Sequence, residues 1–344
     1  MGKHIMLSLI ILAFAGVALA GGPDRDTDPK PLPIIDMHLH ANPATNNGPP
    51  PNGICPGNAQ FPDFDPDRPW IEVFLNWAAN PPCDDPVWGP ETNEGVMQET
   101  LEVLRRRNIY GVTSGPLLDD YIENGGDHII PSLWLGGHPE SWPSPDSFRS
   151  TLETGKYKVF GEIGLQYLGM SPDHPSFEPY LEILEEMGIP LGIHIGTGPP
   201  GVSHFPGSGG HLARMHSALE IEPVIMRHPR LQVYLMHAGW PMIDDLLAVF
   251  YAHPQVYADL GIIIFALPKA EIHYYLRRIV QAGFGRRVMF GSDQMNWPGV
   301  IEYAIDVIES ADFLTETQKR DILYNNAARF LRLSEEEIAR HHGR

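Results

Sequence analysis

Lysine and arginine are in short supply. The chain has 24 of them against 43 aspartates and glutamates over 344 residues, a formal charge of −19. A protein whose main partner is a phosphate backbone needs basic patches, so no nucleic acid is expected as a partner. A nuclease stays open only because bound metal ions can supply positive charge locally. Cysteine is scarcer still: Cys55 and Cys83 are the only two, with no Cys-x-x-Cys spacing, which excludes a thioredoxin-type site and a zinc knuckle. The glycine-rich stretch 196–211 lacks the Gly-Lys-Ser/Thr of a P-loop, so nucleotide binding is not expected there. The apolar run over residues 5–20 falls short of the roughly 20 residues of a comfortable membrane span. Glycine and proline number 34 each but show no Gly-x-y period, which excludes collagen and points to long structured loops. No internal repeat is visible.

What the chain does have is a core. Hydrophobic residues make up 43% and aromatics 10%, enough to exclude bulk disorder. Sixteen histidines are the unusual count. Residues 1–20 end in Ala18-Leu19-Ala20 before Gly21-Gly22, a small-x-small cleavage pattern, and read as a secretory signal peptide. An uncleaved anchor is the alternative, since Lys3 and the amino terminus are the only positive charges ahead of the apolar run. Cleavage predicts a secreted or periplasmic protein with no stable membrane anchor. An oxidising compartment favours a Cys55–Cys83 disulfide over two free thiols, and closing that loop would contribute roughly 3–4 kcal/mol on the chain-entropy argument.

Residues 21–32 form a polar, proline-rich leader, and 33–344 read as one domain. Strands are predicted at 33–40, 109–114, 129–135, 157–163, 190–195, 231–237, 256–260 and 288–292, mostly as continuous apolar runs, as in parallel strands buried on both faces. Helical patterns fall at 92–107, 145–154, 177–187, 211–227, 242–252, 268–282, 300–310 and 315–332. The link 115–128 is short, so one helix is expected to be reduced. Eight β-to-α steps over about 300 residues predict a (β/α)8 TIM barrel with a long insertion, 41–91, after strand 1. An open doubly wound sheet would want a glycine-rich phosphate turn after strand 1, and none is present.

Strand 1 reads Asp36-Met37-His38-Leu39-His40, and alternation places Asp36, His38 and His40 on one side. By itself His-x-His is a common pair. The signal lies in its recurrence with Glu162 ending strand 4, His194 in strand 5, His237 ending strand 6 and Asp293 ending strand 8. A barrel brings such strand ends to one point. Imidazoles and carboxylates bind Zn²⁺, or Mn²⁺, and leave a position open for water, whose pKa falls towards neutrality. Asp293 could accept the water's proton and deliver it to a leaving group. Glu162 lies between the halves of the ligand set, where a carboxylate could bridge two ions.

These pieces together resemble the amidohydrolase superfamily, and within it the amidohydrolase-related (amidohydrolase 2) group that includes aminocarboxymuconate semialdehyde decarboxylase. The matching segments are IDMHLH (35–40), GIHIG (192–196), LMHAGWP (235–241), MFGSD (289–293) and YNNAARFLRL (324–333). The resemblance implies that His38, His40 and His194 are metal ligands and that Asp293 is both ligand and proton shuttle. It implies that His237 is a second-metal ligand, or an electrophilic or hydrogen-bonding group where one metal is bound. Glu162, in GEIGLQY, is similar to the strand-4 glutamate of TatD-type nucleases, which have binuclear sites. It departs from the decarboxylase branch and tilts the reading to two ions.

The expected activity is metal-dependent hydrolysis of a small-molecule amide, ester or lactone. A non-oxidative decarboxylase, a phosphoester hydrolase and a non-catalytic binder with a closed coordination shell are the competing readings. A homo-oligomer is left open. His204 and His211 are read as loop or helix-start residues, Trp134, Trp240 and Trp297 as pocket walls or rim packing, and His341-His342 as a solvated tail. Asp36 is read as a ligand-orienting residue or as buried polar structure.

Overall fold

A computed structural model describes residues 31–58 and 60–344. The segment read as a signal peptide, and the leader up to residue 30, lie outside the described residues. Eight parallel strands form one sheet in sequential order: β1 Ile34–His40, β2 Ile109–Ser114, β3 Ile129–Leu133, β4 Val159–Ile163, β5 Leu191–His194, β6 Val233–Met236, β7 Val256–Asp259 and β8 Val288–Met289. Helices connect them on the outside, so the fold is a TIM barrel, as the alternating pattern predicts. β1 and β8 meet without a regular ladder. The Met37 amide donates to Phe290 O (2.9 Å) and the Asp293 amide to His38 O (2.7 Å). Asp36 completes the seam, its Oδ1 accepting from the amides of His38 (3.0 Å) and Ser292 (2.9 Å). Through these bonds it holds the backbone of His38 and of the β8 end, and it joins none of the donor groups.

The phase of β1 differs from strict alternation. Its register against β2 shifts between Asp36 and Leu39. Ile35 and Met37 join the inner cluster with Tyr234, Met289 and Tyr324, while Ile34 and Leu39 pack in the outer layer against the helices. A bulge re-aims the residues that follow it, so His38 and His40 reach the interior out of phase with Asp36. β4 carries a second irregularity, between Phe160 and Ile163, and it contains Glu162.

The helices follow their sequence signals. Thr92 caps Asn93–Arg107, and the three closing arginines suit the helix dipole. The reduced helix is Leu118–Gly125. The pattern over 211–227 resolves into two short 3₁₀ turns and the helix Glu222–Arg227, because Ser217 is extended and caps the second turn and Pro223 starts the helix. A capping box at Ser334 and Glu337 starts Glu335–His341, which the periodicity alone does not reveal. There His341 is buried and stacks on Tyr110 with ring centroids 3.5 Å apart, which corrects its reading as a solvated tail. The YNNAARFL segment closes the barrel floor: Tyr324 and Phe330 enter the inner cluster, and Asn326 Nδ2 donates to Val288 O (2.7 Å).

The insertion lies over the C-terminal end of the barrel. It holds the helix Trp70–Ala79 and an antiparallel pair, Gly53–Ile54 with Val87–Trp88. The Cys55–Cys83 disulfide, spanning 28 residues, ties its two ends. Trp70 Nε1 donates to Pro200 O (2.9 Å), and the Phe74 and Phe205 rings meet at 5.0 Å, so insertion and loop 196–211 pack together. No helix among the described residues is long and apolar enough to cross a membrane.

Candidate metal centre

All six predicted donor residues converge at the C-terminal end of the barrel. Glu162 is the hub. Its Oε1 lies 2.5 Å from His194 Nδ1 and 3.0 Å from His237 Nε2. Its Oε2 lies 3.5 Å from His38 Nε2 and 3.6 Å from His40 Nε2. Asp293 Oδ1 sits 2.9 Å from His40 Nε2 and 3.7 Å from His38 Nε2. Three overlapping donor groups result: His38/His40/Glu162, Glu162/His194/His237 and His38/His237/Asp293.

Bonds on the far side of each ring set the direction of the lone pairs. A carbonyl only accepts, so His194 Nε2 donates to Gly196 O (3.0 Å) and His237 Nδ1 donates to Gly261 O (2.9 Å). His38 Nδ1 faces Asp259 Oδ2 at 3.2 Å. With the ring hydrogens turned outward, the opposite nitrogens present lone pairs to the centre. His194 Nδ1 and His237 Nε2 then lie 2.9 Å apart beside a carboxylate oxygen, an arrangement that needs a cation or shared proton between them. His38 Nε2, His40 Nε2 and both Asp293 carboxylate oxygens are buried without a hydrogen bond. Such orphaned atoms are costly in a native core unless something binds them. The donor set therefore fits divalent cations.

The electrostatics agree. Burial would push the Glu162 carboxyl up, but with no cation between them the His38 charge, and protons shared with the facing His194 and His237 nitrogens, outweigh it and hold it well below the usual range. Burial would lower His38, yet Asp293, Asp259 and Glu162 together raise it well above an ordinary imidazole. The same surplus of buried negative charge that retains a proton there would attract a metal ion.

The backbone bends sharply where the donors sit. His237 (φ 65°) and Asp293 (φ 52°) both occupy the left-handed region, uncommon for residues with a side chain. Gly261 is a glycine for a different reason: a Cβ there would fall 2.4 Å from His38 Nδ1.

Asp259 was not among the predicted site residues. It ends β7 with the same signal as the others, an acid where an apolar strand stops. It is fully buried, and its Oδ1 accepts from the amides of His237 (3.0 Å) and Gly261 (2.9 Å). It is a positioning residue: one carboxylate orients the His38 ring and the His237 backbone. In Asp259→Asn the amide oxygen can keep both backbone bonds, but its NH2 would confront the His38 ring N–H. Metal affinity, measured by competition with a chelator, is expected to fall about 10- to 100-fold. An unchanged affinity would remove Asp259 from this role.

Gln294 was also missed. It brackets His40 by accepting from its amide (3.0 Å) and donating to its carbonyl (2.6 Å). His204 is exposed against Phe64, and His211 bonds Ser203 Oγ at 2.9 Å; neither joins a donor group. His216, fully buried behind His194, is pushed down to about 2 by burial and by His194, His211 and His237, and so stays neutral. Trp134, Trp240 and Trp297 line the cavity above the centre.

A family model described as amidohydrolase matches residues 35–333. No curated protein matches the sequence significantly. Among solved structures, the chain is similar to 5-carboxyvanillate decarboxylase from Sphingomonas paucimobilis, at 14% identity and a TM-score of 0.54, covering 88% of this chain and 100% of that one. It is similar to 4-oxalomesaconate hydratase from Rhodopseudomonas palustris, at 15% identity and a TM-score of 0.55, covering 89% and 98%. A third is described as a probable 2-pyrone-4,6-dicarboxylic acid hydrolase from Acinetobacter baumannii with citric acid bound, at 12% identity and a TM-score of 0.56, covering 87% and 99%. At these identities the likeness is one of fold.

Proposed function

The chain belongs to the amidohydrolase family, whose members are enzymes, and from that premise we propose that it is an exported metal-dependent hydrolase that uses metal-activated water to cleave an amide, ester or lactone of a small molecule. The observation that carries this reading is the Glu162 carboxylate, with one oxygen facing His38 and His40 and the other facing His194 and His237. His38, His40 and Asp293 would hold one ion, His194 and His237 a second, with Glu162 between them. Zn²⁺ suits this mix of nitrogen and oxygen donors, and Mn²⁺ is the alternative. A divalent ion held there supplies Lewis acidity and lowers the pKa of water to about 7.

The chain's own residues do the rest. Asp293 lines the cavity floor with no hydrogen bond on either oxygen, so it is available to take a proton from water and return it to the leaving group. Asp259 and Gly261 hold the His38 and His237 rings in place while this happens. If a single ion is bound on the His38 side, His237 Nε2 is free to accept a hydrogen bond from a substrate hydroxyl or, once protonated, to donate one to a substrate oxygen. The signal peptide read at 1–20 supports export; a mature protein starting at Gly21, read by mass, tests it.

The decarboxylase reading is favoured by one observation, the shared fold with 5-carboxyvanillate decarboxylase. There Asp293 would protonate carbon. Elemental analysis and product identification separate the readings. The protein is expected to carry one to two equivalents of Zn or Mn, lost in His38→Ala/His40→Ala, and to release an acid with its alcohol or amine. Equal metal in both proteins would sink the site; CO₂ release without hydrolysis would replace the reaction.

A further inference from the structure

The cavity above the donor cluster has a volume of about 1120 Å³, somewhat above the roughly 300–1,000 Å³ typical of small-ligand sites. Among its described lining residues there is no lysine and no arginine. The only acids and imidazoles that line it are His40, Glu162, His194, His237 and Asp293, all in the donor cluster on its floor. Its walls are mostly aromatic and aliphatic, with uncharged polar side chains such as Asn42, Asn46 and Asn58 between them. Phe61, Phe74 and Trp77 come from the insertion, and Val202 and Phe205 from the loop after β5. Phe61 and Trp134 at its edge are 42% and 47% exposed, so the apolar surface runs from the floor out to solvent.

A substrate carboxylate at the floor could be held by bound metal. A carboxylate on the walls would lose water against aromatic rings and find only neutral amide and hydroxyl partners, with no lysine or arginine among the described lining residues to offset its charge. The chain's net charge of −19 adds long-range repulsion. We propose that the cavity takes an uncharged substrate with an extended apolar body, its hydrolysable carbonyl at Glu162, and that it rejects substrates with a charged distal group. This rests on the hydrolase reading above for the bond that is cleaved, but not for what the walls bind.

The test uses the full Zn-loaded protein and a matched pair, the p-nitrophenyl ester of decanoic acid and the p-nitrophenyl half-ester of decanedioic acid. They differ by one terminal carboxylate. The neutral ester is expected to have the higher kcat/KM by about 10- to 100-fold. Binding is read separately, by quenching of the lining tryptophans with decanamide and with its terminal carboxylate analogue, and should show a gap in the same direction. Phe61→Arg and Trp134→Arg, both at partly exposed rim positions, should each narrow the gap about tenfold. Equal or tighter binding of the carboxylate analogue, or a gap that neither arginine narrows, would overturn the proposal. Selective binding of the neutral compound without turnover of any ester would overturn the hydrolase reading and leave this one standing.

Discussion

Where the protein as isolated carries two equivalents of metal, Glu162→Gln is expected to lower them to one at most and to slow turnover on the order of 1000-fold. The carboxylate is the one group whose two oxygens face both histidine pairs. Glutamine matches its volume, so the barrel should fold unchanged. Its NH2 cannot ligate, and whichever pair it faces loses an anionic donor. Lewis-acid assistance amounts to several kcal/mol of transition-state stabilisation, and each 1.36 kcal/mol is tenfold in rate. Glu162→Asp separates charge from reach: it keeps the anion but shortens the side chain, so it too should hold a single ion. Two full equivalents in the glutamine variant, with turnover intact, would show that Glu162 does not bridge.

Asp293→Asn should reduce kcat by about 10²- to 10⁴-fold, the usual contribution of a positioned acid–base group. Asparagine can still place an oxygen near His40 Nε2, but it cannot take up and release the proton. The measurement is made at saturating metal, with bound ion quantified in the same sample. That separates lost proton transfer from lost ligation. A loss smaller than tenfold with metal bound would move the proton shuttle to another group, such as His237, whose Nε2 faces the centre while its Nδ1 is held by Gly261 O.

Much of the site was readable from strand ends. His194, His237 and Asp293 each follow an apolar run and stand where a parallel strand stops. That rule is local, and it applies equally to Asp259, the last residue of the strand Val256–Asp259. Asp36 shows the opposite case. Period-two reasoning puts it beside His38 and His40, but the bulge in β1 breaks the phase and leaves it bonding the seam to β8. A bulge depends on the partner strand, so the alternation of one strand cannot reveal it. The helix expected over 211–227 fails for a local reason, since Ser217 and Pro223 interrupt it.

The sequence alone determined the barrel and which histidines and acids stand at its strand ends, because eight buried parallel strands must be written as apolar runs and their ends are where polar residues can be tolerated. Tertiary structure alone decided how those donors face one another. That Glu162 turns an oxygen to each histidine pair, that Asp259 backs His38, and that no lysine or arginine is among the cavity's described lining residues are properties of side chains brought together from more than two hundred residues of chain. The shortage of lysine and arginine first spoke only against a phosphate backbone. Placed around this cavity, it bears on the proposed choice of substrate, because a carboxylate among the aromatic walls would find neutral amides but no cationic side chain among the described lining residues to offset its lost water.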